Sequence, residues 1–234
     1  MPLPWFAHIA RRLPSQCAVC HSWPSQPVCE GCVKLFAQPK PRCRSCALPV
    51  PAGQRQCGAC IIDAPPLDAA FAAVAYVYPW SQLVVEFKFQ QQAGWARSMA
   101  LLMRSAPWVE PALETADLVL PMPLSRQRLQ ERGFNQALLL ARALAPSKTQ
   151  AQLLLRVQDT PAQSSLSRAA RLRNVQHAFA VDPLQHAFIH GKRVVLVDDV
   201  MTSGASLAAA ARSVRQAGAA HITGVVFARA ERGN

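Results

Sequence analysis

Hydrophobic and polar positions change their spacing several times along this 234-residue chain. Short apolar, β-branched runs predict strands at 71–78, 117–120, 152–157, 193–197 and 221–228. Segments with helical spacing lie between them and predict helices at 81–89, at 95–104, up to about 144 and at 206–216. Strands and helices that alternate in this way favour an α/β domain with a parallel sheet.

The stretch 193–215 carries the strongest pattern of candidate chemistry. Its buried strand is followed by two carboxylates, Asp198 and Asp199, and then by a loop of small residues that leads into an alanine-rich helix. The loop residues are Thr202, Ser203, Gly204, Ala205 and Ser206. Free N–H groups of such a loop and the N-terminus of a helix can hold a phosphate. Carboxylates at the end of a strand can accept hydrogen bonds from ribose hydroxyls, directly or through a divalent cation. An ordinary strand–turn–helix with solvated aspartates is the alternative.

This order of residues resembles the binding motif for phosphoribosyl pyrophosphate (PRPP) in type I phosphoribosyltransferases. The resemblance implies that Asp198 and Asp199 hold the ribose hydroxyls and that the loop from Thr202 to Ser206 holds the 5′-phosphate.

Basic residues supply candidates for a diphosphate site. Arg126, Arg128 and Arg132 leave the carboxyl end of the strand at 117–120 together, and guanidinium groups suit diphosphate oxygens. Three solvated arginines on a helix are the alternative. Lys88 is a fourth candidate, although a lysine in its apolar setting is more often a snorkelling surface residue than a ligand. The polar stretch 159–173 is typical of a mobile lid.

All eight cysteines lie in four C-x-x-C pairs near the start of the chain. The pairs are Cys17 with Cys20, Cys29 with Cys32, Cys43 with Cys46, and Cys57 with Cys60. Two pairs make a closed tetrahedral site of four thiolates, so eight ligands suit two structural Zn²⁺ ions. We favour pairing of the first with the second and of the third with the fourth, and an interleaved arrangement stays open. A redox motif or a disulfide framework explains four regular pairs less well. So small a segment needs the metal to fold.

The charge balance favours phosphate-bearing partners. The chain has 25 Lys and Arg against 13 Asp and Glu, a formal charge of +12. Such an excess is typical of proteins that bind nucleic acid or a small polyanion, and generic solubility is the bland alternative. Residues 1–14 lack the apolar core of a secretion signal, and no run approaches the roughly 18 apolar residues of a membrane span. We therefore expect a soluble, cytoplasmic protein with reduced thiols.

These patterns predict a lead-in at 1–16, a double zinc ribbon at 17–62 and a phosphoribosyltransferase-like domain at 63–234. With them in view, the chain resembles the ComF/GntX family of competence proteins. The resemblance rests on the cysteine pairs and on the stretches 87–89, 121–124, 132–136, 159–161, 166–168, 173–175 and 197–204. The chain departs from the family pattern at 125–126, where many relatives have His-Pro, and at Gln127 and Gln130, where basic residues are frequent. These departures reduce the charge available for a diphosphate.

The resemblance implies uptake or use of external DNA, on the cytoplasmic side, beside a DNA-translocating helicase and single-strand-handling proteins. Our first hypothesis is a DNA-uptake protein that binds PRPP and contacts single-stranded DNA or its handling proteins. The second is an active Mg²⁺-dependent phosphoribosyltransferase of nucleobase or nucleotide metabolism, in which Asp198 or Asp199 steadies the cationic sugar. The third is a non-catalytic scaffold that binds proteins through its zinc ribbons. No sequence feature identifies a pocket for an acceptor base.

Overall fold

The computed structural model describes residues 15–90, 92–158 and 178–231. The predicted lid at 159–173 lies outside them. The chain forms two compact units, one ending at Gln38 and the other beginning at Pro39. The second cysteine-rich segment thus belongs to the same unit as the sheet, and the predicted domain boundaries stay predictions. Within the described ranges, no helix has the length and apolarity that crossing a membrane requires.

The elements follow one another in an α/β order that we number along the chain. They are α1 (Glu30–Phe36), α2 (Gly58–Ile62), β1 (Ala69–Ala75), α3 (Trp80–Phe89), α4 (Trp95–Ser105), α5 (Val109–Thr115), β2 (Leu118–Pro121), α6 (Arg126–Arg132), α7 (Gln136–Leu144), β3 (Leu154–Arg156), β4 (Phe179–Val181), a 3₁₀-helix (Pro183–Phe188), β5 (Arg193–Met201), α8 (Ala205–Gln216) and β6 (His221–Arg229). The helices predicted at 81–89, 95–104 and 206–216, and the one that ends near 144, are confirmed to within one residue at their stated ends.

The first unit is small and carries little regular structure among its described residues. An antiparallel bridge joins Ser15 to Ser25. Cys29 lies just before α1, and its thiol accepts a hydrogen bond from the backbone N–H of Cys32. The cysteine pair therefore also caps the helix that follows it.

The second unit is built on four parallel strands in the order β1-β6-β5-β2. Its cysteine-rich segment lies beside the edge strand β1. The backbone N–H of Ala70 in β1 donates to the carbonyl oxygen of Arg44 at 2.7 Å. Such a contact satisfies a backbone group that an open sheet edge would expose. The predicted parallel sheet is confirmed.

Three strand predictions need correction. The strand predicted at 71–78 is β1, which begins two residues earlier and ends three residues earlier. The strand predicted at 152–157 does not join the parallel sheet. Its central part, β3, pairs antiparallel with β4. β4 has only three residues, so the alternation of apolar and polar positions is too short to predict it from the sequence. The strand predicted at 193–197 runs on to Met201, because Asp198 pairs with Val226 and Val200 pairs with Ala228 of β6. Both aspartates thus lie within the strand rather than after it.

Helices cover both faces of the sheet. Alternate residues of a strand point to opposite faces, and Val194 and Leu196 of β5 join a buried cluster with Leu207 of α8. On the other face, Trp80 of α3 packs edge-on against Phe227 of β6, with ring centroids 5.9 Å apart. This layering leaves the carboxyl ends of the strands open between α3, α6 and the loop before α8.

Candidate functional site

A polar cleft of about 230 Å³ lies at the carboxyl end of β5. It is the position where α/β sheets hold their ligands. Its walls come from strands, helices and the loop after β5, and they include Tyr76, Lys88, Arg128, Arg132, Gln136, Arg156, Asp198, Asp199, Thr202 and Ser206. Cations and carboxylates that are far apart in the chain therefore meet in one small space.

Asp199 forms an ion pair with Lys88. The Nζ atom lies 3.0 Å from Oδ1, and the two side chains are 18% and 8% exposed for Lys88 and Asp199 respectively. The alternation along β5 turns Asp199 toward the face that α3 covers, which brings it to Lys88. Lys88 is therefore not a snorkelling surface residue, and its apolar setting reflects real burial.

The second carboxylate, Asp198, has a different environment. Its Oδ1 accepts a hydrogen bond from the backbone N–H of Asp199 at 2.9 Å. Burial, followed by the negative charge of Asp199, raises the pKa of Asp198 to about 7, although Lys88 and Arg132 oppose the shift. Burial thus keeps Asp198 partly protonated near neutral pH.

The loop after β5 has the open conformation that its small residues permit. Gly204 adopts a left-handed backbone with φ of 80°, which disfavours any side chain. The backbone N–H of Ala205 donates to Ser203 Oγ at 3.3 Å. Among the residues that the structure describes, the N–H groups of Ser203 and Gly204 have no acceptor. Both groups lie just before the twelve-residue helix α8, at its N-terminal end.

The three candidate arginines lie on a helix rather than in a loop. Ser125 begins α6, and its Oγ accepts from the backbone N–H of Arg128 at 3.2 Å. Arg128 and Arg132 are four residues apart, so they share one face, and both line the cleft. Arg126 is exposed and does not line it, because two residues along a helix reach the opposite side. The structure therefore brings Lys88, Arg128 and Arg132 together and leaves Arg126 outside.

Sequence reasoning missed Gln136, whose side chain is almost completely buried in the cleft wall. Arg132 Nη1 donates to Gln136 Oε1 at 3.1 Å. Arg132 Nε and Gln136 Nε2 are buried and, within the described part of the chain, have no hydrogen-bond partner. Buried donors without a partner are uncommon in folded proteins and call for an explanation. The sequence signals were the position of Gln136 at the start of a helix that follows the arginines and its place in the stretch 132–136, on which the family resemblance rests in part.

The eight cysteines form two groups of four, each with its sulfur atoms within 4.8 Å of one another. The first group joins the first two pairs, and the second group joins the last two, so the favoured pairing is confirmed. Sulfur–sulfur distances are 3.8 Å for Cys17–Cys32, 3.6 Å for Cys20–Cys29 and 3.7 Å for Cys46–Cys57. Tetrahedral Zn²⁺ with bonds of about 2.3 Å requires sulfur atoms roughly 3.8 Å apart. The donor sets therefore fit one such ion each.

One buried thiol in each group is set up to lose its proton, whereas burial raises the pKa of Cys32 in the first group and of Cys46 and Cys60 in the second. Burial raises the pKa of Cys17, but the backbone N–H groups of Cys20, Cys29 and Val19 outweigh it and lower the pKa to about 6. In the second group, burial likewise raises the pKa of Cys43, and backbone N–H groups lower it to about 7. N–H groups that stabilise a thiolate in this way also stabilise a metal-bound sulfur.

Comparison with known proteins agrees with this geometry. The family described as "Phosphoribosyl transferase domain" matches residues 153–234. "DNA utilization protein YhgH" of Salmonella typhimurium is 31% identical over 202 residues, which cover 83% of this chain and 87% of that protein. "Competence protein F" of Haemophilus influenzae is 32% identical over 213 residues, which cover 87% of this chain and 90% of that protein. The chain belongs to the ComF/GntX family.

The ComF/GntX assignment accounts for both parts of the structure. The domain is phosphoribosyltransferase-like, with a parallel sheet between helices, and two groups of four cysteines precede it. A solved structure titled "structure of the allosteric regulatory enzyme of purine biosynthesis" has a TM-score of 0.35 and 20% identity, over 58% of this chain and 25% of that one. The chain thus spans about a quarter of that enzyme's length.

Proposed function

We propose that this ComF/GntX protein serves DNA uptake or DNA utilisation, and that its polar cleft binds PRPP or another phosphoribosyl ligand with Mg²⁺. The names of its relatives, "DNA utilization protein" and "Competence protein F", support the first part. One observation carries the second part. Two carboxylates, Thr202 and Ser206 of the loop after β5, and two buried donors that have no partner among the described residues converge on one cleft at the end of β5.

Each group of the ligand has a chemical counterpart in the cleft. Asp198 and Asp199 accept hydrogen bonds from the two ribose hydroxyls, directly or through Mg²⁺. The loop from Thr202 to Ser206 takes the 5′-phosphate with its N–H groups, at the positive end of α8. Arg128, Arg132 and Gln136 face the diphosphate, which supplies acceptors for Arg132 Nε and Gln136 Nε2. Arg126 takes no part in this arrangement.

The two cysteine groups hold one structural Zn²⁺ ion each. Their sulfur spacing and closed sets of four thiolates are typical of structural sites, which leave no position open for chemistry. Thiolate sites of this kind persist in a reducing compartment, which agrees with a cytoplasmic protein.

Contact with single-stranded DNA is the second element of the proposal. A formal charge of +12 attracts a polyanion, and such binding weakens with salt because counterions are released. The protein would meet the incoming strand together with the helicase and the single-strand-handling proteins of uptake.

Isothermal titration calorimetry with PRPP and Mg²⁺ tests the ligand site. We expect zinc-loaded protein to bind, and Asp199→Asn to weaken binding at least tenfold. Asp63→Asn, an exposed residue outside the cleft, is the matched control. Each substitution removes one negative charge, which by itself should strengthen the binding of an anionic ligand. Weaker binding of PRPP by Asp199→Asn therefore requires a specific contact with Asp199. Equal binding by wild type and Asp199→Asn would refute the phosphoribosyl site.

Phosphoribosyl transfer is a second candidate function, and the cations beside the carboxylates favour it. Departure of pyrophosphate needs stabilisation of its negative charge, which Arg128 and Arg132 are placed to supply. The sugar passes through a cationic state that the carboxylate of Asp199 would stabilise. Pyrophosphate release, measured with a panel of nucleobases, tests this step. If the protein binds PRPP but releases pyrophosphate only at the background rate, the cleft binds the ligand without catalysing transfer.

A further inference from the structure

A second and larger cleft, of about 860 Å³, lies near the other end of the strands. Its floor consists of small residues of β1, among them Ala69 and Ala73, together with Val195 of β5. One wall is the second cysteine-rich segment, around Arg44, and the other is the start of α5. All of these residues belong to the same compact unit. The cleft therefore joins the second cysteine group to the sheet on the side away from the phosphoribosyl site.

The charge of this cleft has one sign. Lys40, Arg44, Arg55 and Arg193 line it with exposed side chains, and Arg42 and His221 lie beside them. Among the described residues that line the cleft there is no Asp or Glu. The nearby Asp68 binds Arg215, and Asp117 accepts from the backbone N–H of Arg193.

The positive groups act on one another across the cleft. Burial lowers the pKa of His221, Asp68 opposes that shift, and the charges of Arg193, Arg215 and Arg44 lower the pKa further. Arg44 comes from the cysteine-rich segment and Arg193 from the start of β5. Both charges act on one imidazole, so the cysteine-rich segment and the start of β5 both contribute positive charge to the same part of the cleft.

An aromatic side chain stands at the edge of this positive surface. Trp108 is 70% exposed and lines the cleft directly before α5. It also has a left-handed backbone with φ of 69°, an uncommon conformation for a bulky residue. A large indole kept in solvent beside arginines offers a flat surface on which a base can stack.

We infer that this cleft is the surface that receives single-stranded nucleic acid. The inference rests on the DNA contact proposed above and assigns it a place. Arginines along a groove can bind successive phosphates of a nucleic-acid backbone. An exposed tryptophan can stack only on a base that is not already stacked inside a duplex, which favours a single strand. The cleft has no carboxylate that could hold a sugar or Mg²⁺ among its described lining residues, which separates it chemically from the phosphoribosyl site.

The two sites are far enough apart to be filled together. Arg193 begins β5 and Asp199 follows six residues later, which is a separation of roughly 20 Å along an extended strand. A single-stranded nucleic acid bound in the larger cleft therefore leaves the phosphoribosyl cleft accessible. The two ligands can be tested independently on the same protein.

Fluorescence anisotropy of a labelled 20-nucleotide thymidine strand, with the zinc-loaded full chain, tests the assignment. The variant Arg44→Glu/Arg193→Glu changes the charge within the cleft. The control Arg97→Glu/Arg142→Glu makes the same change at exposed arginines that do not line it. We expect at least tenfold weaker binding and a smaller salt dependence for the first variant, and less than threefold weaker binding for the control. Trp108→Ala should weaken binding about fivefold or more.

Calorimetry with PRPP and Mg²⁺ on the same variants shows whether they are folded, and Arg44→Gln/Arg193→Gln replaces any variant that is not. Equal loss in the cleft and control variants would mean that net charge alone binds the strand, and would overturn the assignment. Unchanged binding in the cleft variant would also overturn it but leave the DNA contact intact. If the wild type does not bind the thymidine strand, both the DNA contact and its assignment to this cleft are refuted. The phosphoribosyl site would still be decided separately by the measurement of PRPP binding. A polyglutamate peptide that binds as tightly and depends on the same arginines would refute a nucleic-acid site.

Discussion

The side chain of Arg229 links the carbonyl oxygen of Cys46 to the loop that follows β5. Its Nε atom donates to Cys46 at 2.7 Å, and its Nη1 atom donates to the carbonyl oxygens of Met201 at 2.9 Å and Ala230 at 2.8 Å, and to that of Thr202. Arg229 is 3% exposed. A single buried guanidinium group thus holds the second cysteine group and the start of the loop after β5 in one fixed arrangement.

Substitution of Arg229 should therefore affect ligand binding as well as stability. Arg229→Lys keeps the charge but cannot supply the planar fork, so buried carbonyl oxygens lose their donors. We expect a fall of about 2–4 kcal/mol in the free energy of unfolding and roughly tenfold weaker binding of PRPP and Mg²⁺. Urea unfolding and calorimetry measure the two effects.

Arg215→Lys is the matched control for Arg229→Lys. Arg215, in the last turn of α8, also donates to carbonyl oxygens, those of Ala219 and Ala220, but these lie just before the amino end of β6. It should lose stability without a change in ligand affinity. If both variants weaken PRPP binding equally, the link through Arg229 has no special role.

The two cysteine groups should differ in what their loss does to the sheet. Cys20→Ser/Cys29→Ser and Cys46→Ser/Cys57→Ser each remove two ligands from one group, and each should lower the zinc content from two ions to about one. Only the second change should lower the melting temperature of the unit with the sheet and weaken PRPP binding, because Cys46 contacts Arg229. Atomic absorption and differential scanning fluorimetry check this. Equal effects from both pairs would contradict it.

The ion pair between Lys88 and Asp199 should be worth more than a surface pair. Lys88→Gln leaves a largely buried carboxylate without its partner, so the free energy of unfolding should fall by about 3 kcal/mol. Glu110→Gln breaks the pair with Arg104, where both side chains are 40% exposed, and should cost at most about 1 kcal/mol. Urea unfolding of the two variants gives the comparison. Similar losses would show that the pair in the cleft is effectively solvated.

Stability should depend on pH through Asp198. Its pKa is raised from the ordinary value of 3.8 to about 7, so between these values the unfolded chain is ionised while the folded chain keeps the proton. The folded state then binds more protons, and stability falls as pH rises through this window and no further above it. Relative to Asp198→Asn, the wild type should lose up to about 1.4 kcal/mol per pH unit.

Thermal unfolding at several pH values between 4 and 8 measures this difference for Asp198, at about a few degrees per pH unit. Asp63→Asn is the control, since Asp63 is exposed and should give a constant offset from the wild type. A wild type that differs from Asp198→Asn by the same amount at every pH would show that folding does not raise the pKa of Asp198.

Gly204 should be required for its backbone conformation rather than for lack of space. A Cβ atom there would meet only Met201, no closer than 3.7 Å, but φ of 80° strains any L-residue. We expect Gly204→Ala to cost about 1–2 kcal/mol and to weaken PRPP binding by distorting the loop. Gly58→Ala, at the start of α2 without a positive φ, should be neutral or slightly stabilising. Chemical denaturation distinguishes the two.

Much of the architecture could be predicted from local patterns. The two-residue gap within each cysteine pair predicted sites of four thiolates, and the sequential grouping that we favoured is the one that the structure has. The apolar run at 193–197 predicted a strand buried in a parallel sheet, although its true end at Met201 depended on pairing with β6. Such features involve residues that are near one another in the chain, so composition and spacing carry most of the information.

The candidate site itself was only partly accessible to sequence reasoning. Arg126 was grouped with Arg128 and Arg132 because all three follow one strand, but helix geometry turns Arg126 away from the cleft. Nothing in the sequence marked Gln136 as a ligand; only the fold buries its side chain beside Arg132 and leaves its Nε2 atom without a partner among the described residues. Both outcomes depend on how a helix is oriented, which local spacing does not specify.

The sequence by itself determined the thiolate clusters, the parallel α/β sheet and the carboxylates ahead of a small-residue loop, because each arises from neighbouring residues with fixed preferences. Tertiary structure alone decided that Arg229 meets Cys46, 183 residues away, and that Arg44 and Arg193 share one positive cleft. The physical reason is that such contacts depend on the packing of whole elements. Hydrophobic burial fixes this packing and is non-directional, so the local sequence does not show which polar groups it brings together.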